Sequence, residues 1–390
     1  MKYRQALAAV ALLTGMLLLH GMVQNHFKLV LPPTLSPERR RAALTPAPVS
    51  YEGAEEEQQR ERQVAEMTRV DASDPFKIHL GGGGRGGFPR PPKAVVLWTG
   101  WRSGSTFVGQ LLARATNATF YSYEPLHKYK VHVLHRDRND TRAAVKLLRD
   151  VLRCRLLRHQ DQVSYMAHQK WYLRENTFLN KYCKPSRACS STAIVGKVCR
   201  MASLHVAKVL RLSLRWARPL LEDEDLDVQV IYMVRDPRAV LSSRARVSWC
   251  TSSTCGGHQT VCSLLEKDLN EAAALLQEYP NRFMFVQYEE MCQNMSAALA
   301  DIMDFLGLPV TNAQKKMLNY EAPSTNSHTI AKNSFLQAQL WRNMTSYSDI
   351  VVPVQKYCRA SLEKLSLRIF NSNAEFQNLS VQALIRPSMP

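Results

Sequence analysis

A run of small and polar residues at positions 99–106 has the composition of an anion-binding loop. It reads Thr-Gly-Trp-Arg-Ser-Gly-Ser-Thr, with an apolar run at 94–98 before it and helical apolar spacing at 107–112 after it. A Gly/Ser loop between a strand and a helix directs backbone N–H groups and the positive helix end at one point. The pattern predicts a phosphate site, in which Ser105 or Thr106 caps the helix and donates a hydroxyl. A turn without a ligand is the simpler alternative.

The loop differs from the Walker A loop of ATPases, which needs Gly-x4-Gly-Lys-Ser/Thr. Gly100 and Gly104 are separated by three residues, and no lysine follows Gly104. An ATPase that holds Mg²⁺ is therefore disfavoured.

A second strand-to-helix unit lies at 228–246. The apolar run 228–234 ends in Arg235, and Pro237 fits the first turn of a helix. Arg235 would then lie at the carboxyl end of a strand, where open α/β sheets bind ligands, with Ser243 about two turns into the helix. The two side chains are candidates to hold a second phosphate. A solvated arginine beside a capped helix is the alternative.

Further elements complete the predicted architecture. Strands are expected at 192–198 and 282–288, and an amphipathic helix at 296–306 that Gly307 ends. Strands separated by helices predict an α/β fold with a parallel sheet that helices cover on both faces.

The two units, in this order, resemble those of the sulfotransferase superfamily. Within it, residues 101–111 are very similar to the Golgi carbohydrate 6-O-sulfotransferases that act on N-acetylglucosamine, galactose or N-acetylgalactosamine. Similarity covers roughly residues 93–370. Its further motifs are residues 123–127, 196–200, 234–244, 287–290 and, more loosely, 339–342. Residues 126–191 and 245–263 match no acceptor group, so the acceptor is not identified.

The resemblance implies the sulfotransferase fold, a parallel sheet related to that of P-loop NTPases. It also implies 3′-phosphoadenosine 5′-phosphosulfate (PAPS) as sulfuryl donor, without a metal. Arg235 and Ser243 would bind the 3′-phosphate, and Tyr288 would lie on the adenosine side. The 5′-phosphosulfate would be held by Trp101, Arg102, Ser103, Gly104, Ser105, Thr106 and Phe107.

Catalysis needs a general base on the acceptor hydroxyl. Glu124 follows the aromatic, strand-like residues 120–123, and we expect a desolvated position to raise its pKa toward neutrality. The alternative is that Glu124 pairs with an arginine or caps the turn at Pro125. His127 is the rival base. Lys197, on the predicted strand 192–198, is a candidate to stabilise the transferring sulfuryl group, as Arg102 is for the leaving oxygen.

The N-terminus has the features of a membrane anchor. Residues 1–5 form a short basic tail, and the uncharged run 6–23 has about the length that crosses a bilayer. We expect a signal-anchor helix, a flexible stem at 24–92 and a luminal domain at 93–390, on the Golgi membrane in type II orientation. A cleaved signal peptide is the alternative.

Glycosylation sequons and cysteines agree with a secretory compartment. Sequons begin at Asn117, Asn139, Asn294, Asn343 and Asn378. The chain has nine cysteines, an odd number, so at least one is free or pairs between chains. Local disulfides such as Cys183–Cys189 are expected. The cluster of Cys250, Cys255, His258 and Cys262 fits no common zinc spacing, and no metal is predicted.

Charge points to an anionic partner. The net charge is +18, and residues 126–218 alone carry 21 Lys and Arg against five acids. This indicates PAPS and, as a hypothesis, an acidic glycan or proteoglycan acceptor, with a solvated basic helix face as the alternative. Nucleic acid is disfavoured by the compartment, and a homodimer is left open. Two other functions stay open: a glycosaminoglycan-binding module without catalysis, and a P-loop nucleotide kinase.

Overall fold

The computed structural model describes residues 91–168, 170–183, 189–319 and 334–385. In these residues a single five-stranded sheet has the order β2-β3-β1-β4-β5, and every neighbouring pair is parallel. The strands are β1 Lys93–Thr99, β2 Thr119–Tyr123, β3 Leu204–Val209, β4 Val228–Val234 and β5 Phe283–Gln287. The predicted signal anchor lies outside the described residues.

Helices connect and cover the strands. Before β4 they are α1 Ser105–Leu112, α2 Asn139–Leu152, α3 Gln160–His168, α4 Lys170–Glu175, α5 Thr177–Asn180, α6 Thr192–Met201 and α7 Arg218–Leu221. After β4 they are α8 Pro237–Ala245, α9 Ser253–Gly256, α10 His258–Glu278, α11 Tyr288–Met291, α12 Met295–Phe305, α13 Asn312–Leu318, α14 Ser334–Gln339, α15 Val352–Tyr357, α16 Arg359–Lys364 and α17 Asn373–Gln377. Short 3₁₀ helices occur at His127–Tyr129, Leu214–Ala217 and Leu340–Met344, and a π-helix at Tyr347–Val351.

Apolar side chains cover both faces of the sheet. In β1, Ala94, Val96 and Trp98 pack into one core cluster, whereas Val95 and Leu97 pack into another on the opposite face. Such double burial requires a continuous apolar run, because successive side chains point to opposite faces. The predicted α/β architecture is therefore confirmed.

The carboxyl ends of the strands meet at one edge. The predicted phosphate loop, residues 99–106, follows β1, and Arg235 follows its neighbour β4. On the other side of β1, Lys208 of β3 is in register with Tyr123, the last residue of β2, and Glu124 follows. The sheet order therefore brings the predicted donor and base residues to the same edge.

One predicted strand is wrong. Residues 192–198 belong to α6, whose first turn is capped by the Ser191 hydroxyl. Val195, Val198 and Cys199 are buried at helical spacing, and Lys197 is exposed. The β-branched residues of this segment favour a strand locally. Burial of its apolar side chains, which recur at the helical period of 3.6 residues, overrides that preference. The strand in this part of the chain is β3.

The other predicted elements are confirmed. β4 coincides with the predicted run, and β5 lies within the predicted strand. Helix α12 ends before Gly307, which has the positive φ of 66° that favours glycine. In the described part of the chain, no helix combines the length and the apolar character needed to cross a membrane.

Eight of the nine cysteines form disulfides. The predicted Cys183–Cys189 pair is present, together with Cys154–Cys199, Cys250–Cys255 and Cys262–Cys358. Cys292 is free and buried, in agreement with the odd count. The sulfurs of Cys250, Cys255 and Cys262, the cysteines of the cluster that fits no common zinc spacing, are in disulfides. The same holds for Cys154 and Cys199, which lie close to His205.

Candidate active site

Gly104 gives the phosphate loop its shape. It caps α1 with a φ of 89°, a left-handed conformation that residues other than glycine rarely adopt. A Cβ atom there would lie 2.5 Å from Cε2 of Tyr288. Arg102 also has a positive φ, 68°. The loop is thus held in an unusual conformation against the Tyr288 ring, as functional loops often are.

Other loop residues build the loop itself. The Ser103 hydroxyl lies 2.5 Å from that of Thr99 and donates to the Gly100 carbonyl oxygen at 2.6 Å. Both hydroxyls are buried, so Ser103 is engaged in holding the loop. Thr106 is exposed in the first turn of α1. Its hydroxyl oxygen lies 3.5 Å from Nζ of Lys208, in the first turn of the helix, where an anion would meet the helix N-terminus.

Trp101 and Phe107 support the loop by packing. Trp101 is buried in a small cluster with Leu210 and Cys255, and Phe107 packs against the core beneath α1. The guanidinium of Arg244 donates two hydrogen bonds, of 3.0 and 2.9 Å, to the Trp101 carbonyl oxygen. This buried arginine was not singled out from the sequence, although it lies next to Ser243. It ties α8 to the loop.

The two predicted phosphate units are in contact. Nε of Arg102 donates to the Ser243 hydroxyl at 2.9 Å, and Nη1 of Arg235 donates to the Arg102 carbonyl oxygen at 3.1 Å. The Arg235 guanidinium also lies 4.5 Å from the centre of the Tyr288 ring, a cation–π distance. Residues separated by more than 130 positions therefore form one site. The sequence analysis singled out all four.

This site has an excess of positive charge. Burial lowers the pKa of Arg102, and the guanidinium groups of Arg235 and Arg246 lower it further. Across the described residues, none of these three arginines forms an ion pair with a carboxylate. Arg246, exposed just after α8, was missed because the motif ends before it. Neighbouring arginines without a carboxylate partner create the positive potential of an anion-binding site.

Glu124 lies between two cations, Lys208 of β3 and Arg211, which follows β3. Its Oε1 is 3.2 Å from Nζ of Lys208, and Nη1 of Arg211 donates to its Oε2 at 2.7 Å. Glu124 has a φ of 48°, a left-handed conformation that is uncommon for glutamate. Lys208 and Arg211 were both missed. The largely apolar segment 204–209, in which His205 and Lys208 are the polar residues, would have been the signal.

The expected direction of the Glu124 pKa shift is wrong. Burial alone would raise the pKa of this carboxyl, but the charges and hydrogen bonds of Lys208 and Arg211 outweigh burial and lower it. Glu124 is therefore ionised at neutral pH. The pairing with an arginine, the alternative from the sequence, is present.

His127 lies beside Glu124 in a different environment. Its backbone N–H donates to the Glu124 carbonyl oxygen at 3.0 Å, and its ring stacks on Tyr165 with centroids 3.4 Å apart. Burial, followed by the charge of Arg211, lowers the pKa of His127 to about 4. The imidazole is thus neutral at physiological pH. A neutral ring can accept a proton, but with this pKa it is a weak base.

Lys197 is not at a strand end. It lies on α6 at an exposed position, and the strand-end lysine of this region is Lys208. Nζ of Lys208 lies 3.5 Å from the Thr106 hydroxyl oxygen, on the first turn of α1. The basis for a sulfuryl-stabilising role of Lys197 is therefore lost, and Lys208 occupies the position predicted for it.

The fold, together with the contact between the loops that follow β1 and β4, points to one class of protein. The family model described as "Sulfotransferase family" matches residues 95–312, more than half of the chain. The chain belongs to the sulfotransferase family and is a sulfotransferase enzyme.

Curated relatives cover most of the chain. It is 25% identical over 352 residues to "Carbohydrate sulfotransferase 5" of Mus musculus, which covers 76% of this chain and 86% of that protein. It is 26% identical over 342 residues to "Carbohydrate sulfotransferase 6" of Homo sapiens, with 75% and 85% covered. Among solved structures, it is similar to a retinol dehydratase (TM-score 0.39, 18% identity, 73% of this chain and 84% of that one).

Proposed function

We propose that this sulfotransferase moves a sulfuryl group from PAPS to a sugar hydroxyl in a glycan or proteoglycan chain. The 6-hydroxyl of N-acetylglucosamine, galactose or N-acetylgalactosamine is the proposed acceptor group. The observation that carries the donor assignment is the junction of the two loops, in which Arg102 contacts Ser243 and Arg235 contacts Arg102. One site with two anion-binding parts suits a nucleotide that carries a 5′-phosphosulfate and a 3′-phosphate.

The site residues take the following roles in the proposal. Arg235, Ser243 and Arg246 hold the 3′-phosphate. The N-terminus of α1 and the Thr106 hydroxyl hold the 5′-phosphate. Arg102 neutralises the charge that develops on the leaving oxygen.

Glu124 is the proposed general base for an in-line displacement without a covalent intermediate. It is ionised and at the same edge of the sheet as the donor loops. His127 remains the rival base.

Two observations support a luminal, secretory location for the domain. All five sequon asparagines lie at exposed positions, and four disulfides suit an oxidising compartment. The names of the curated relatives support a glycan acceptor. We therefore propose Golgi localisation in type II orientation, with residues 6–23 as the anchor.

Ion pairs within the chain reduce the number of cations that could recognise an acidic acceptor. Arg149 and Arg153 both contact Asp223, and Arg218 contacts Glu271 and Glu278. Three of the 21 basic residues at 126–218 are therefore paired with acids from elsewhere in the chain. An acidic acceptor, if used, must be recognised by the cations that remain unpaired near the site.

The test is transfer of radioactive sulfur from PAPS to a panel of neutral, sialylated, sulfated and uronic-acid-bearing glycans by the full-length chain. We expect labelling of at least one glycan class, lost in Arg235→Ala. The exposed, ion-paired Arg359→Ala is the matched control. Binding of glycans without transfer to any of them would favour the binding-module alternative, and phosphoryl transfer from ATP–Mg²⁺ the kinase alternative.

A further inference from the structure

An uncharged loop, residues 247–257, follows helix α8 and has no role in the function proposed above. It contains serines, threonines, two cysteines and two glycines, but no acid and no base. Its Trp249 is 42% exposed, and the neighbouring Ser248 and Thr251 are exposed as well. Single exposed apolar side chains are common on protein surfaces, so the position of this one decides whether it has a use.

Three contacts hold the loop in place. The Cys250–Cys255 disulfide closes it. The Cys255 carbonyl oxygen accepts a hydrogen bond of 2.9 Å from Nη1 of Arg244, the same arginine that donates to the Trp101 carbonyl oxygen. Cys255 is also buried against Trp101. Trp249 directly precedes the disulfide, so a ligand that binds its ring would not have to order the loop first.

The loop packs against the stretch of chain that leads away from Glu124. The Ser252 hydroxyl donates to the Val131 carbonyl oxygen at 2.6 Å, and the Val133 backbone N–H donates to the Thr254 hydroxyl at 3.0 Å. The loop therefore bridges the helix of the proposed 3′-phosphate residues and the segment that follows the proposed base.

Direct contacts connect Glu124 with this loop. Arg211 donates to Oε2 of Glu124 at 2.7 Å, and its guanidinium lies 5.5 Å from the centre of the Trp101 ring. Trp101 in turn packs against Cys255. Two side chains thus separate the proposed base from the disulfide. Trp249 is a neighbour of the proposed site, but it is too far from Glu124 to share the hydroxyl that Glu124 would deprotonate.

We propose that Trp249 and the exposed hydroxyls beside it bind a neutral sugar ring of the acceptor chain, next to the ring that receives the sulfuryl group. The inference rests on the proposed function. One face of a pyranose ring carries C–H groups that pack on an indole, and its hydroxyls can pair with serine and threonine side chains. Because residues 247–257 carry no charge, this loop has no cation for a carboxylate or a sulfate.

The test compares acceptors that have one sugar ring with acceptors that have four. The single rings are the methyl β-glycosides of N-acetylglucosamine, galactose and N-acetylgalactosamine. The tetrasaccharides are those of the galactose–N-acetylglucosamine and glucuronic acid–N-acetylgalactosamine repeats. Radioactive transfer from PAPS by the full-length chain is measured with each of them.

Trp249→Ala should impair only the longer acceptors. The KM for a tetrasaccharide should rise by about 3- to 10-fold, the value of an aromatic packing contact. The KM for a methyl glycoside should stay unchanged, because a single ring does not extend to the loop. Affinity for 3′-phosphoadenosine 5′-phosphate (PAP), the product of the donor, should also stay unchanged. Undiminished use of tetrasaccharides would overturn the inference.

Two further variants separate ring packing from a general defect. Trp249→Phe keeps an aromatic ring and should recover most of the loss. Tyr357→Ala removes an exposed aromatic side chain of α15 and is the matched control, which should change no value. An equal rise in KM for tetrasaccharide and methyl glycoside in Trp249→Ala, or a weaker affinity for PAP, would indicate a defect of the fold and would also overturn the inference.

The double variant Cys250→Ser, Cys255→Ser tests the support of the ring. It should raise the KM for tetrasaccharides, and Trp249→Ala should add little to it, because both changes act on one contact. Full additivity would contradict the loop as the support of Trp249. Failure of the wild-type chain to label any of these acceptors would contradict the proposed function itself, so the two failures are distinguishable.

Discussion

The donor side and the acceptor side of the sheet edge are built in different ways. The donor side consists of two short segments, residues 99–106 and 235–246, each attached to the end of a central strand. The acceptor side centres on Glu124, whose partner Arg211 lies 87 positions away on a different strand-end segment. A site made of contiguous motifs is visible in a sequence, whereas a site made of pairs brought together by sheet order is not.

The two sides also differ in how their charge is balanced. The donor arginines 102, 235 and 246 have no carboxylate partner among the described residues, so their positive charge is available to a ligand. On the acceptor side Glu124 neutralises Lys208 and Arg211. A high local count of basic residues is therefore a poor guide to where positive potential is free.

The largest expected effect is that of Glu124→Gln on the acceptor side. Loss of the proposed base should lower kcat by about 10²- to 10⁴-fold. PAPS affinity should not fall, because Lys208 is then left without its carboxylate. The measurement is steady-state transfer with the exposed Glu363→Gln as control. Undiminished transfer would remove Glu124 from the mechanism and sharpen the case for His127.

Gly104→Ala should damage the donor side next most strongly. A Cβ there would collide with Tyr288, and the positive φ adds a cost of about 1–3 kcal/mol to folding. We expect loss of PAP binding together with a lower unfolding midpoint.

Gly307→Ala is the matched control for that substitution. Gly307 also has a positive φ, 66°, but no atom lies within 4 Å of a Cβ built there. It should lower stability alone and leave PAP binding intact. An equal loss of PAP binding in both variants would show that general destabilisation, rather than the contact with Tyr288, explains the effect of Gly104→Ala.

Arg246→Ala tests the extension of the donor site beyond its sequence motif. Because Arg246 is exposed, the phosphate contact that we propose for it would be partly screened, and KM for PAPS should rise by about fivefold to tenfold. Arg142→Ala removes an exposed arginine that is already paired with Asp137 and should change nothing. An equal response of the two variants would contradict the distinction between free and paired charge.

The smallest effect on transfer is expected for His127→Gln. We expect transfer to fall by less than about tenfold, because an imidazole with a pKa of about 4 is a weak base at neutral pH. Stability should respond more clearly. The unfolded chain takes up this proton near pH 6.5 and the folded chain only near 4, so His127 costs stability as pH falls through that window. Thermal unfolding of the variant should depend less steeply on pH between 6.5 and 4; an unchanged slope would contradict the shifted pKa.

Sequence reasoning singled out most of the residues that the structure brings together at the two proposed donor loops. The apolar runs of β1 and β4 are buried on both faces, and only a continuous apolar stretch satisfies that environment. Gly104, Arg102, Arg235 and Ser243 follow these runs at short distances, so local pattern was enough. Arg246 was missed because it lies beyond the end of the motif.

The acceptor side was predicted less well for physical reasons. Glu124 was singled out, but the direction of its pKa shift depends on two cations whose contact exists only after β3 pairs with β2. Lys197 was chosen in place of Lys208 because β-branched residues in α6 imitate a strand. The burial of one side of α6, at the helical period of 3.6 residues, exists only in the tertiary structure.

The central claim is that the two loops form a single donor site, and PAP binding by the full-length chain tests it most directly. Calorimetric titration of the wild type and of Arg235→Ala should show binding that weakens by about 10- to 150-fold on loss of the charged contact. Arg102→Ala and Ser243→Ala should be non-additive with each other, since their side chains are in contact. PAP binding that is unchanged in Arg235→Ala would contradict the account.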